Sequence, residues 1–234
     1  MKRFWITMNM IYEKFMLLLF VVAFLIVIYG LYDTWYVYKN ASNDDVARFK
    51  PTPGQGLSEE APITEDMVAW ITIDDTNIDY PIMQGEDNTT YLNLNPYGDY
   101  SLSGSIFLDT RNSENFTDPY SILYGHHMEY GSMFGALDDF MDLEFMKNHK
   151  HGTLLVGRDG EKSYELAVFA CIKVNVYDND VLDPDIASNI EQIIKDEAIS
   201  YNTSIKNSDH ILALSTCIEP VSTNRLLVFC YIYE

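Results

Sequence analysis

The chain has 234 residues, enough for one domain of ordinary size plus an appendage. Its 15 basic against 35 acidic residues leave a formal charge of −20, which argues against nucleic acid or anionic lipid as a ligand, because phosphates would be repelled. Three cysteines leave at least one thiol unpaired, and with no Cys-x-x-Cys pair or histidine cluster the sequence implies neither a metal site nor a cofactor.

From the N-terminus, residues 15–32 form an uncharged, strongly apolar run, and about 18 such residues suffice to cross a bilayer's hydrocarbon core. Lys2, Arg3 and Lys14 precede the run while Asp33, Asp44 and Asp45 follow it. The positive-inside rule therefore puts the N-terminus in the cytoplasm and the rest of the chain outside. Tyr29, Tyr32, Trp35 and Tyr36 supply an outer aromatic belt. The competing reading is a cleaved signal peptide, but the run exceeds the usual apolar length and no small-residue cleavage site follows it cleanly. The expected division is a cytoplasmic end at 1–14, a retained anchor at 15–32, an extracellular spacer at 33–63 and one domain at 64–234. Pro51, Pro53, Gly54, Gly56 and Pro62 interrupt the spacer, whose first part, up to Phe49, can continue as helix.

Beyond Ala69, eight short β-like runs recur between turn residues: 70–73, 78–82, 105–108, 121–124, 153–156, the long 163–176, 211–216 and 225–232. That rhythm predicts a mainly β fold, a small closed or nearly closed barrel. Two helical patterns interrupt it. Phe134, Leu137, Phe140, Met141 and Phe145 recur at spacings of three and four. Asp183 can then cap a helix with Pro184 in its first turn and Ile186, Ile190, Ile193 and Ile194 on one face. Cys171 and Cys230 lie inside apolar strands and read as buried core residues, with a disulfide between them left open.

Cys217 differs from them because it ends a strand and is followed by the polar stretch 218–224, although a third buried strand cysteine is the competing reading. Arg225 opens the next strand, and Tyr124-Gly125-His126-His127 ends another with an imidazole. A thiol, an imidazole and a guanidinium at strand ends point to acyl transfer: thiolate as nucleophile, imidazole as proton donor, guanidinium stabilising developing negative charge. Adjacent strand residues face opposite ways, so only one of His126 and His127 can face the thiol. For Arg225 the plain alternative is a strand-entry charge in water. His149, His151 and His210 read as solvated or capping residues.

These residues also resemble the catalytic signature of sortases, the membrane-anchored cysteine transpeptidases of Gram-positive bacteria. Gln84-Gly85-Glu86-Asp87-Asn88 with Tyr91-Leu92, and Gly104-Ser105-Ile106-Phe107-Leu108-Asp109 with Arg111-Asn112, narrow the resemblance to class B. It runs from about Ala69 to the C-terminus. It implies an eight-stranded sortase-type barrel with inserted helices, one of them between the sixth and seventh strands. It selects His126 over His127 as the partner of Cys217 and Arg225, and it implies that Asn88, Leu92 and Ser215 line the substrate groove. Their plain alternatives are loop capping, core packing and a strand hydroxyl. The implied reaction cleaves a C-terminal sorting motif of a secreted protein through a thioacyl-enzyme and passes the acyl group to an amine, from a peptidoglycan cross-bridge or a pilin lysine. Ile218 departs from class members that carry an acidic residue after the cysteine. The other readings are a cysteine protease that releases peptide to water, and a tethered binding module whose Cys, His and Arg are incidental.

Overall fold

A computed structural model describes residues 1–41, 46–57, 60–177, 180–217 and 223–233. Asp44, Asp45, Ser58 and Glu59 lie outside the described residues, as do the stretch 218–222 after Cys217 and the side chains of Ile186 and Cys217. The chain forms two compact units, Met1–Lys39 and Asn40–Glu234.

Helix α1, Lys2–Ala41, makes up the first unit and continues past the predicted apolar run at both ends. Its apolar side chains are exposed on every side, the pattern of a helix whose solvent is lipid, and it is long and apolar enough to cross a membrane. At 1.5 Å per residue its 40 residues reach about 60 Å, roughly twice a hydrocarbon core.

All eight predicted β-like runs are strands in the second unit: β1 Met67–Ile73, β2 Asp79–Met83, β3 Ile106–Leu108, β4 Tyr120–Gly125, β5 His151–Val156, β6 Lys162–Asn175, β8 Ile211–Cys217 and β9 Asn224–Tyr233. They pair in the order β5-β1-β2-β3-β4-β8-β9-β6, and β6 returns to β5, so the ring closes as an eight-stranded barrel. Pairing is antiparallel except at β2–β3 and β4–β8, whose partners run parallel. A further short strand, β7 Ala198–Tyr201, adds to β6 beyond the end of β5. The sequence does not announce β7, since it follows directly on a helix and is strand only because β6 offers an unpaired edge there.

Alternate residues of the strands point inward to one core containing Ile71, Ile82, Leu123, Leu214, Val228 and Cys230. The outer faces are covered as well, which explains why runs such as Phe169–Ala170–Cys171–Ile172 are apolar without alternation. The insert between β6 and β7 brings Val181, Ile190 and Ile194 onto Tyr120, Ile122, Ala213, Leu227 and Phe229. On another side Val46 and Ile63 are buried against Trp70, Tyr91 and Phe107. Lys50, within the predicted spacer, donates through Nζ to Asp79 Oδ1 at 2.8 Å and to Thr72 Oγ1 at 2.6 Å. The later part of that stretch therefore lies on the barrel wall.

Both predicted helices exist but break in two. Phe134–Met141 is a run of 3₁₀ turns and α2 spans Leu143–Asn148. Asp142 separates them because its carboxylate accepts from Glu144 N and Phe145 N as a helix N-cap. Phe134, Leu137, Phe140 and Met146 from this pair belong to the inner core and stop one end of the barrel. In the insert, Asp183 accepts from Asp185 N as expected, but 3₁₀ turns at Pro184–Asn189 come first and α3 occupies only Ile190–Glu197. Asn189 sits outside helical geometry between them, without a side-chain cap bond.

Candidate active site

Strand pairing sets the frame. Tyr124, Ser215 and Leu227 face one another across β4, β8 and β9, forming one row on the outer surface of the barrel. Side chains alternate along strands, so the same pleat carries its next row two residues on. Cys217 there occupies the register position opposite Arg225, and the residue two beyond Tyr124 is His126. Three residues remote in sequence thus end three adjacent strands, about 4.8 Å from one strand to the next.

The exit of β4 is fixed by the glycine before the histidine. A Cβ at Gly125 would lie 2.5 Å from Ile106 Cδ1 and 2.7 Å from Phe134 Cδ2, so only hydrogen fits. His126 is half-buried, and its Nε2 lies 2.8 Å from the Leu92 carbonyl oxygen. A carbonyl only accepts, so Nε2 carries the proton of this bond. His127 is engaged elsewhere, with Nε2 at 2.8 Å from Asp138 Oδ2. His149 Nδ1 donates to the Phe145 carbonyl and His210 Nδ1 to the Asp118 carbonyl, while His151 approaches Glu165 at the surface.

Asn88, Leu92 and Ser215 occupy different places around this row. Asn88 Oδ1 accepts from Thr110 N at 2.9 Å, a loop-capping bond. Leu92 packs its side chain with the Trp70 cluster and meets His126 through its backbone oxygen. Ser215 is buried in the row beside Tyr124, and its Oγ has no hydrogen-bond partner among the described residues. An unsatisfied buried hydroxyl is costly, and Ser121 Oγ and Asn202 Nδ2 are in the same state.

Beneath the row lies a network that the sequence does not reveal. Asp109, fully buried at the end of β3, accepts from Arg111 Nε at 2.9 Å, Arg111 Nη2 at 2.8 Å and Tyr124 Oη at 3.0 Å. Burial alone would raise its pKa, but the Arg111 bonds outweigh that and hold the carboxyl below its usual range. Burial, together with the Asp109 charge, raises Tyr124 well above an ordinary phenol, and the positive charges of Arg111 and Arg225 partly offset this. Tyr124 is therefore a neutral donor. The only sequence signal for the network is a carboxylate and a guanidinium two residues apart at a strand end.

The other two thiols are unsuited to chemistry. Cys171 and Cys230 are both free and buried, so no disulfide joins them. Burial, aided by the charge of Asp138, pushes Cys171 up to about 12, and burial pushes Cys230 higher still. Among the described residues no three potential metal ligands converge.

A family model described as "Sortase domain" matches residues 71–232. Sortase B of Listeria monocytogenes is 35% identical over 160 residues, covering 66% of this chain and 64% of that protein. Sortase B of Staphylococcus aureus is 32% identical over 180 residues, covering 74% of this chain and 72% of its own length. Among solved structures, a Streptococcus pyogenes class B sortase involved in pilus biogenesis superposes with a TM-score of 0.66 at 36% identity, over 73% of this chain and 94% of that one.

Proposed function

The chain belongs to the sortase family, class B, and from that premise we propose that it is a membrane-anchored cysteine transpeptidase acting on secreted proteins with a C-terminal sorting motif. The observation that carries this reading is the strand register: Cys217 opposite Arg225, with His126 two residues beyond Tyr124 on the other neighbouring strand. Cys217 thiolate attacks the scissile carbonyl carbon, and Arg225 balances charge on the oxygen of the tetrahedral intermediate. As the C–N bond breaks, His126 gives a proton to the departing amine and a thioester remains on sulfur. A second amine then attacks the thioester carbon and gives up a proton to His126, the C–S bond breaks, and the new amide leaves with the Cys217 thiolate and the protonated His126 regenerated. Asn88, Leu92 and Ser215 line the groove for the motif, and Ser215 is the best supported because it pairs with Tyr124 in the row two residues before Cys217.

The acceptor we propose is an amine of the cell wall. A pilin lysine is the second reading, favoured by the 36% identity to the pilus-biogenesis enzyme. Residues 1–14 are then cytoplasmic, 15–32 span the membrane, 33–63 connect, and 64–234 form an extracellular catalytic domain; the apolar helix α1 supports the tether. The test is intact-mass analysis of the full chain after incubation with a library of C-terminal sorting peptides, with and without added amine. A thioacyl adduct on Cys217 that converts to an amine-dependent product is expected. Release indifferent to amine would favour a protease, and no adduct with an inert Cys217 would favour a binding module.

A further inference from the structure

Residues 109–112 form a tightly held loop. Gln84 Nε2 donates to the carbonyls of Asp109 at 3.0 Å and Asn112 at 2.8 Å, and the Asn112 side chain bonds the β4 backbone at Tyr120 O and Ile122 N. From this loop bonds reach both sides of the Tyr124 ring. Thr110 N holds Asn88, in the segment that carries Leu92. On the other side Arg111 Nη1 lies 3.0 Å from Asp183 Oδ1, and Nη2 lies 3.2 Å from the Leu182 carbonyl. Tyr124 packs against both outer clusters, one shared with Leu92 and the other with Leu182, so it lies at the junction of the two clusters. Tyr120 Oη donates to Val181 O at 2.7 Å, a further anchor of the insert.

We propose that Arg111 is a specificity-determining positioning residue: bridging the buried Asp109 carboxylate to Leu182 and Asp183, it fixes the insert as one wall of the substrate groove, at a set distance from the 88–92 wall. This rests on the transpeptidase reading above. The Arg111–Asp183 contact is half exposed and adds little to stability, so its effect is geometric. A guanidinium suits the task because its fork binds Asp109 through two nitrogens and keeps a third for the insert, which an ammonium cannot do. A wall that shifts loosens binding of the motif without touching Cys217, His126 or Arg225.

The experiment uses the full chain in detergent micelles and, as probe, the library peptide that the unaltered protein cleaves fastest. Arg111→Gln is expected to raise KM about tenfold with kcat within about threefold, because a loosened wall weakens substrate binding without removing a reacting group. Iodoacetamide should alkylate Cys217 at an unchanged rate, and amide exchange over residues 180–189 should accelerate. Arg111→Lys should fall between. Asp183→Asn, which retains the Asp109–Arg111 pair and its own capping oxygen, should raise KM by a smaller factor and decides the matter alone if Arg111→Gln does not fold. Unchanged KM in these variants, or a fall in kcat and alkylation with KM intact, overturns the proposal while leaving the transpeptidase standing. If the unaltered protein cleaves no peptide, the transpeptidase reading fails and takes this proposal with it.

Discussion

Adding one methyl group at Gly125 tests how the row proposed for catalysis is held. The new Cβ would lie 2.5 Å from Ile106 Cδ1 and 2.7 and 2.9 Å from Phe134 ring carbons, against the 3.5–4.0 Å at which carbons rest, so neighbours must retreat by about 1 Å. Neither can do so freely, because Ile106 is 1% exposed and Phe134 fully buried in the inner core. Overpacking of this kind costs about 1–3 kcal/mol. For a domain of this size each kcal/mol lowers Tm by roughly 2–4 °C, so Gly125→Ala should melt roughly 2–12 °C earlier. It should also lose activity beyond its loss of stability, since His126 is the next residue and the shift moves the imidazole relative to its neighbours on β8 and β9. Thermal melting by near-ultraviolet circular dichroism, with turnover assayed well below both midpoints, measures the two effects. Gly30→Ala is the control, because a Cβ there meets nothing within 4 Å. A Gly125→Ala protein with unaltered Tm and turnover would refute the packing argument.

Three further outcomes are expected. His126→Ala should reduce kcat by at least about 10²-fold, the usual worth of a positioned proton donor, while His127→Ala, which loses a bond to Asp138, should keep most turnover; equal losses in a peptide-cleavage assay would overturn the assignment. Arg225→Lys should fold with an unchanged far-ultraviolet spectrum yet lose about 10²-fold in kcat, because the charge remains but the donor fork does not, and near-normal turnover would remove Arg225 from the mechanism. At pH 8 iodoacetamide should modify Cys217 alone in the folded protein, with Cys171 and Cys230 reacting only after denaturation, as read by peptide mass mapping. Because the folded thiols titrate above their unfolded values, the folded state should also lose stability as pH rises from about 8.5 toward 12.

Much of the fold was legible because local patterns and tertiary demand agreed. Strands covered on both faces, such as the middle of β6, write continuous apolar runs, and all eight barrel strands fall where short β-like runs recur between turn residues. Where local propensity competed, the sequence misled: Asp142 and Asn189 each divide what reads as one amphipathic helix, and β7 takes its form from the edge of β6. The candidate site was partly legible. Residue types at strand ends pointed to Cys217 and Arg225, but choosing His126 over His127 needed the family resemblance, and the structure adds that His127 already bonds Asp138.

The sequence by itself determined what depends on composition and short-range order: an apolar segment long enough for a bilayer, a strongly acidic charge balance, a set of strands, and a thiol, an imidazole and a guanidinium at their ends. Only the tertiary structure decided what depends on which strands are neighbours. The parallel pairing of β4 with β8 joins residues some ninety positions apart, and no local pattern encodes that register. The same holds for the Asp109 carboxylate, the Leu92 carbonyl beneath His126 and the reach of Arg111 to the insert. Each is a contact between groups that are far apart in sequence and meet only because the closed barrel makes their strands and loops neighbours.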